Sequence, residues 1–149
     1  MNTKPLIHLH QRQLDQIREH GRLTYPEECC GFLYGYEVGS ERTVHEVIAI
    51  DNSREDNKER RFLITPEEFM KAETRAKDLD LGLIGIYHSH PDHPAIPSEF
   101  DREHALPFYS YIIISVRKRV PAEIRSYQLA DDRKSYVEEK LIIHQRVAV

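Results

Sequence analysis

The sequence contains no tryptophan, and its only two cysteines, Cys29 and Cys30, are adjacent. Adjacent cysteines cannot join distant segments of the chain, so a disulfide-stabilised fold of the secreted type is excluded. No stretch reaches the ~18–20 apolar residues that a membrane-spanning helix needs. The first residues, MNTKPLIHLHQRQ, also lack the apolar core of a secretory signal. We therefore expect a cytoplasmic protein with no membrane partner.

A strong net charge is also missing. The formal charge is −4, so no general electrostatic attraction draws the protein to nucleic acid. Two short basic groups, Arg60-Arg61 and residues 117–119, are interpreted as solvated turns rather than binding patches. The chain has 149 residues, 40% of them hydrophobic, with no repeat, low-complexity tract or linker. It is therefore predicted to form a single domain over residues 1–149.

The hydrophobic pattern predicts strands interleaved with helices. Helices are predicted over residues 11–23, 65–79 and from about 98; strands over 7–10, 29–36, 43–50, 62–65, 83–87, 110–116 and 123–129. Thr65, Pro66 and Glu68 match the signature of a capped helix start. The segment from about 136 to 145 is compatible with a helix or a strand, and its apolar end favours a strand. This order indicates an α/β or α+β domain.

A polar stretch, HSHPDHPAIPSEFD at residues 88–101, directly follows a predicted buried strand. If that strand continues, His88 and His90 point to the same face with their backbones ~6–7 Å apart. A catalytic zinc ion usually takes three protein ligands and leaves a fourth position for water. Asp101 is the best-placed acid for a third ligand, so the stretch is a candidate metal site.

The same residues have a purely structural interpretation. Ser98 can be the N-cap of a helix with Asp101 at its third position, which forms a capping box. A His-x-His pair alone is weak support for a metal, and the prolines at 91, 94 and 97 also occur in ordinary stiff loops. Taken one at a time, these residues leave both interpretations open.

The joint spacing, His-x-His, seven residues, Ser, two residues and Asp, resembles the signature of the JAMM (JAB/MPN) metalloenzyme family. It is filled here by His88, His90, Ser98 and Asp101. Upstream, PEECCG at residues 26–31 is similar to the family's Pro-x-Glu-x-Cys-Gly and places Glu28 at its glutamate. The flanking sequence looks like the bacterial branch, and the resemblance runs from about residue 6 to the C-terminus. One departure is that the strand around Tyr127 lacks the tryptophan often found in related bacterial sequences.

This resemblance implies a central mixed, curved β-sheet packed between helices, with a cytidine-deaminase-like core. It also implies one Zn²⁺ held by His88, His90 and Asp101, with water at the fourth position. Glu28 would then be the proton acceptor and donor, and Ser98 would donate a hydrogen bond to the developing oxyanion.

The resemblance further implies the class of substrate. Family members hydrolyse peptide or isopeptide bonds at the C-terminal tail of ubiquitin or ubiquitin-like proteins. The short chain resembles the bacterial enzymes that trim ubiquitin-fold sulfur carriers, so we expect a ubiquitin-like or sulfur-carrier protein as substrate. The sequence gives no indication of the oligomeric state.

Neighbouring residues have competing interpretations. Glu27 is expected on the solvent side, because adjacent strand residues point to opposite faces. Cys29 and Cys30 could be soft metal ligands but are better explained as small core residues. His93 is expected exposed at the rim of the cleft, and His104 at the surface. No motif surrounds the other histidines, at positions 8, 10, 20, 45 and 144.

Two other functions are compatible with parts of the pattern. Some members of the family have lost their ligands and act as assembly scaffolds, but the complete ligand set argues against this. A zinc deaminase requires His-x-Glu followed by Pro-Cys-x-x-Cys. The two cysteines here are adjacent and upstream of the histidines, so the deaminase interpretation is weak.

Overall fold

The computed structural model describes residues 4–145. Its elements, in chain order, are β1 (Leu6–His10), α1 (Gln11–Thr24), β2 (Cys30–Val38), β3 (Glu41–Ile50), α2 (Pro66–Leu79), β4 (Gly82–Pro91), α3 (Glu99–His104), β5 (Ser110–Arg117), β6 (Val120–Leu129) and β7 (Tyr136–His144). Within this range, no helix is both long and apolar enough to cross a membrane.

All seven strands belong to one sheet with the order β1-β3-β2-β4-β5-β6-β7. β1 pairs in parallel with both β3 and β7, and β4 pairs in parallel with β5. The remaining pairs are antiparallel, so the predicted mixed sheet is confirmed. The expected curved sheet is, however, a closed barrel, because β1 offers one edge to β3 and the other to β7.

Helices pack on both faces of this sheet. α1 contacts β1 and β3 to β7, so it lies on the concave side, where Leu14 and Ile17 join the core formed with Leu33, Ile112 and Ile114. α2 lies on the opposite face against β4, where Ala72 and Ala76 are buried in a second core with other apolar residues, including Phe32, Tyr34 and Ile86. Because successive side chains of a strand point to opposite faces of the sheet, each strand contributes residues to the two cores alternately.

The predicted start of α2 is confirmed. The Thr65 hydroxyl accepts a hydrogen bond from the Glu68 backbone N–H at 3.2 Å, and Glu68 Oε1 accepts one from the Thr65 N–H at 3.1 Å. Residues 136 to 145 were compatible with a helix or a strand, and Tyr136–His144 form the strand β7, which pairs with β1 and β6; the preference for a strand at the apolar end is confirmed.

The strand predicted over residues 62–65 is wrong. These residues form an extended loop with no strand partner. Leu63 instead donates its N–H to the Asn52 side chain at 3.1 Å and accepts from the Ser53 N–H at 3.1 Å. Residues 62–65 therefore use their backbone groups in loop contacts and not in the pairing of the barrel.

A buried polar network crosses the sheet around Glu139, which is only 1% exposed. Its carboxylate accepts hydrogen bonds from Ser110, Ser126 and Gln128 at 2.7–3.0 Å. Arg42 donates to the Ser110 hydroxyl at 2.8 Å and is also paired with Glu37. The network therefore joins β3, β5, β6 and β7, with each buried charge hydrogen-bonded.

Candidate metal centre

β4 continues through the first half of the polar stretch, and this places His88 and His90 on the same face. Antiparallel pairing brings His88 opposite Cys30 of β2, and the Ser89 backbone N–H donates to the Cys29 carbonyl at 3.1 Å. One step further in the same register, Glu28 lies across from His90. Two separated parts of the sequence thus converge on the same patch of the sheet.

The start of α3 brings two further residues, Ser98 and Asp101, to this patch. The Ser98 hydroxyl accepts a hydrogen bond from the Asp101 backbone N–H at 3.0 Å, and Asp101 Oδ2 accepts one from the Ser98 N–H at 2.9 Å. The predicted capping box is therefore present. The same Oδ2 also faces both histidines, so capping and metal binding are compatible uses of one carboxylate.

Three donor atoms meet at short range. Asp101 Oδ2 lies 3.0 Å from His90 Nε2 and 3.3 Å from His88 Nε2, and the two nitrogens are 3.1 Å apart. Donors bound at the usual zinc distances in a tetrahedron are separated by about 3.3 Å. Within residues 4–145, this is the one group of three such side chains close enough to hold a metal ion. Two imidazoles and one carboxylate therefore fit the donor set of a catalytic zinc site.

The ring contacts orient the two imidazoles. His90 Nδ1 lies 2.8 Å from the Pro94 carbonyl oxygen, so Nδ1 carries the proton and the Nε2 lone pair faces the cluster. His88 is stacked on Phe62, with centroids 4.6 Å apart, and its buried Nδ1 has no hydrogen-bond partner among the described residues. An apolar wall thus supports His88, whereas a hydrogen bond supports His90.

The proline-rich connection is held in place by its backbone. The Tyr127 hydroxyl donates to the Ala95 carbonyl at 2.7 Å, and the Ser115 hydroxyl donates to the His93 carbonyl at 2.5 Å. Ala95 itself is fully buried. This anchoring fixes the path of the loop from His90 to Ser98.

Glu28 is a buried acid beside the three donors. It is 3% exposed, and its Oε1 is buried without a hydrogen-bond partner among residues 4–145. Burial, and then the negative charge of Asp101, raise the pKa of Glu28 to about 9. A carboxyl group in this environment is suited to hold and release a proton near neutral pH once a cation is nearby.

The pKa values of two candidate ligands, His88 and Asp101, are lowered, whereas that of Glu28 is raised. Burial lowers the pKa of His88, which favours the neutral imidazole that a metal requires. Burial alone would raise the pKa of Asp101, but the charges and hydrogen bonds of His88 and His90 outweigh it and hold the pKa well below its usual range. At neutral pH the cluster therefore offers a carboxylate.

The residues beside Glu28 follow the expected alternation. Glu27 is exposed, and Cys29 and Cys30 are buried free thiols in opposite cores. Burial raises the pKa of the Cys29 thiol to about 12, so it stays protonated. Gly31 is required by packing, since a Cβ there would lie 2.2 Å from the Tyr87 ring.

The other histidines lie outside the cluster. His93 is exposed and His104 is stacked on Phe100 at the surface, with centroids 3.9 Å apart. His20 contacts the Tyr87 hydroxyl at 2.6 Å. The remaining four, His8, His10, His45 and His144, line a separate pocket of about 500 Å³.

Two open grooves meet at the cluster, one on each side of Phe100. The Glu28 groove, of about 480 Å³, is lined by side chains that include Glu28, Arg60, Arg61, His90, His93 and Ser98. The apolar groove, of about 520 Å³, is lined by His88 and Asp101 together with apolar residues that include Phe62, Leu63, Ile64, Phe69 and Leu106. A substrate that crosses the three donors would have one part in each groove.

Comparison with known proteins identifies the family. Residues 10–130 match the family of prokaryotic homologs of the JAB domain. The chain belongs to this JAB family. The resemblance noted from the sequence is thereby confirmed, and the JAB fold agrees with a mixed sheet and few helices.

Two curated JAB relatives carry functional names. The CysO-cysteine peptidase of Mycobacterium tuberculosis is 33% identical over 113 residues, which are 75% of each chain. The desampylase of Haloferax volcanii is 32% identical over 110 residues, 73% of this chain and 77% of that protein. Among solved structures, the solution structure of a protein from Desulfitobacterium hafniense is 30% identical, covers 95% of both chains and has a TM-score of 0.82.

Several residues around the three donors were not found from the sequence. Asn52 donates its side-chain N–H groups to the carbonyls of Glu28 at 3.2 Å and Arg61 at 2.9 Å. Phe62 was assigned to a strand, and Arg61 to a solvated turn. They belong to a polar loop without periodicity, and only the fold shows that this loop returns to Glu28.

Proposed function

We propose that this protein is a zinc-dependent metallopeptidase that cleaves a peptide or isopeptide bond at the C-terminal tail of a ubiquitin-like or sulfur-carrier protein. Homologues named as a peptidase and a desampylase support hydrolase activity in this JAB family member. The observation that carries the assignment of the site is the convergence of His88 Nε2, His90 Nε2 and Asp101 Oδ2 beside the buried acid Glu28.

His88, His90 and Asp101 are the residues that would hold Zn²⁺. A bound zinc ion lowers the pKa of a coordinated water from ~15.7 toward ~7 and polarises a carbonyl group. The neutral imidazoles and the ionised carboxylate are the forms in which these side chains bind a metal. The apolar ring of Phe62 shields one side of His88 from water.

Glu28 is the proposed proton carrier. Its free Oε1 accepts the proton of the attacking water, and the carboxylic acid then delivers that proton to the leaving amine. Without a metal its raised pKa keeps Glu28 protonated; a cation held by the neighbouring donors would lower this pKa, so that Glu28 could ionise for the first step and carry the proton in the second. No other side chain is needed for this transfer.

Ser98 is the proposed donor to the developing oxyanion. Its oxygen accepts a hydrogen bond from the Asp101 N–H, which leaves the hydroxyl proton free for a substrate oxygen. Its position at the N-cap of α3 fixes it beside Asp101 and at the edge of the Glu28 groove.

The relatives support the class of substrate. Their names refer to CysO-cysteine and to the removal of a protein modifier, and we propose the same class here: a ubiquitin-fold protein whose tail extends beyond its Gly-Gly end. Such a flexible tail can lie extended in the apolar groove with its scissile carbonyl at the three donors.

The test is cleavage of tail-extended carriers. The zinc-loaded protein is incubated with several ubiquitin-fold carriers extended past Gly-Gly, and the products are weighed by mass spectrometry. We expect a mass loss equal to the extension, and a fall of about 10²–10⁴ in rate for Glu28→Gln at unchanged zinc content. Unchanged masses for all carriers, or full turnover by Glu28→Gln, would contradict the proposal.

A further inference from the structure

The Glu28 groove is lined by two arginines, Arg60 and Arg61. The guanidinium groups of Arg60 and Arg61 make no ion pair and no hydrogen bond with any residue from 4 to 145. Arg54, in the same loop, is instead paired with Asp56 at 3.3 Å. The Glu28 groove therefore presents two free positive charges beside the proposed catalytic residues.

The guanidinium group of Arg61 lies over the aromatic ring of Phe100. The guanidinium carbon lies 4.1 Å from the centroid of the Phe100 ring, and the His104 ring is stacked on Phe100 at 3.9 Å. A guanidinium over an aromatic face is held by that contact, while the N–H groups at its edge remain available for a two-pronged contact with a carboxylate. Arg61 is thus ordered in advance of any ligand.

The backbone fixes Arg61 relative to Glu28. The Glu28 N–H donates to the Lys58 carbonyl at 2.7 Å, and the Asn52 amide bridges the carbonyls of Glu28 and Arg61. The segment that carries the arginine and the strand entry that carries Glu28 therefore form one hydrogen-bonded unit. A ligand held by Arg61 would have a defined position relative to the Glu28 carboxyl group.

The leaving group belongs in this groove, since Glu28 delivers the proton to the leaving amine. When the amine is that of a C-terminal amino acid, the same residue carries a negative carboxylate two bonds away. When the amine belongs to a lysine of a folded protein, no carboxylate accompanies it. A free guanidinium here distinguishes these two leaving groups by charge.

We propose that Arg61, assisted by the charge of Arg60, binds the free α-carboxylate of the leaving residue, so that the protein trims a terminal amino acid from its carrier in preference to cleaving isopeptide conjugates. This inference rests on the proposed function and assigns to it a substrate class. Arg61 is a specificity-determining residue, and the carboxylate is its ligand.

The test compares two forms of one carrier, extended past Gly-Gly by a single cysteine that ends in a free carboxylate or in a carboxamide. We expect the wild-type kcat/KM to be about tenfold higher for the acid, and Arg61→Met to remove this preference by slowing the acid alone. Arg61→Lys keeps the positive charge but lacks the planar guanidinium edge. Its preference for the acid should therefore lie between that of the wild type and that of Arg61→Met. Arg54→Met, a change at the other arginine near Phe100, should keep the full preference.

A binding measurement separates this inference from the proposed function. With the zinc-loaded Glu28→Gln variant, the acid form should bind about tenfold more tightly than the amide, and Glu28→Gln/Arg61→Met should bind both alike. Cleavage of both forms at equal rates would overturn the inference and leave the proposed function standing. Carboxylate-dependent binding without cleavage of either form by the wild type would support Arg61 as the carboxylate ligand but overturn both the peptidase assignment and the trimming that rests on it. Loss of the preference in Arg54→Met would also overturn the role given to Arg61.

Discussion

Ser98 and Asp101 exchange two hydrogen bonds at the start of α3, and the Asp101 oxygen in one of them also lies 3.0 Å from His90 Nε2. The bond that positions this carboxylate most directly comes from the Ser98 backbone, not from its hydroxyl. Changing the Ser98 side chain should therefore leave the cluster assembled while it removes the free hydroxyl.

Ser98→Ala should keep its zinc and lose most of its activity. Loss of one oxyanion donor lowers kcat by about 10²–10³, while loss of the cap lowers stability by about 1 kcal/mol. Thr65→Ala is the matched control, because it removes a capping hydroxyl of the same kind from α2. If Thr65→Ala lowers kcat as much as Ser98→Ala, the effect on Ser98 is one of stability alone.

His90→Ala should remove stoichiometric zinc, whereas His93→Ala should not. Two remaining donors cannot replace the set of three, and His93 lies exposed outside the cluster. The measurement is the zinc content after dialysis, by elemental analysis. One zinc per chain in the His90→Ala protein would exclude this residue as a ligand. Wild-type protein that binds no zinc at all would favour a scaffold role.

Metal-free Glu28→Gln should be more stable than metal-free wild type, by an amount that grows with pH. The folded-state pKa of Glu28 is about 9, above its ordinary value of 4.5. The neutral form is thus favoured by folding, and its contribution is complete below about pH 4.5 and is lost as the pH rises through 9. The free-energy difference should reach about 2–4 kcal/mol near pH 8.

Urea denaturation of both metal-free proteins between pH 5 and pH 8.5 measures this difference. Zinc provides the control, since a nearby cation lowers the pKa of a carboxyl group and should shrink the difference. A stability difference that stays constant with pH would show that folding does not raise the pKa of Glu28.

Glu139→Ala should be severely destabilising, and the adjacent Glu138→Ala should not. Removing the buried carboxylate leaves Ser110, Ser126 and Gln128 without their acceptor and should cost about 3–5 kcal/mol. Glu138 forms only a half-exposed pair with Arg125 at 3.6 Å, worth about 0–1 kcal/mol. Equal midpoints of denaturation for the two variants would rule out a stabilising role for the network.

Much of the fold could be predicted because hydrophobic alternation is a local property of the chain. The strands with buried faces and the capped start of α2 were identified this way, and the register of β2 and β4 explains why Glu28 and His90 meet. The strand assigned to 62–65 failed because apolar composition does not reveal whether a pairing edge is available. Here Leu63 bonds to the Asn52 side chain and to the Ser53 N–H of a neighbouring loop instead of to a strand.

The non-local part of the site could not be derived in the same way. Asn52 and Arg61 owe their positions to hydrogen bonds between a polar loop and the backbone of Glu28. Nothing in the sequence of that loop distinguishes it from an ordinary solvated turn. The resemblance to a known signature supplied the candidate ligands, but it contains no information on how this loop returns to them.

The pairing of β1 with β7 sets a condition on how the molecule is made. Leu6 lies opposite Lys140, so β1 must wait for the synthesis of a strand more than 100 residues later in the chain before both of its edges are paired. Folding therefore depends on contacts between residues far apart in the sequence, which slow it. Partly folded chains expose unpaired strand edges, which promote aggregation. A variant without β7 would leave one edge of both β1 and β6 unpaired and should aggregate.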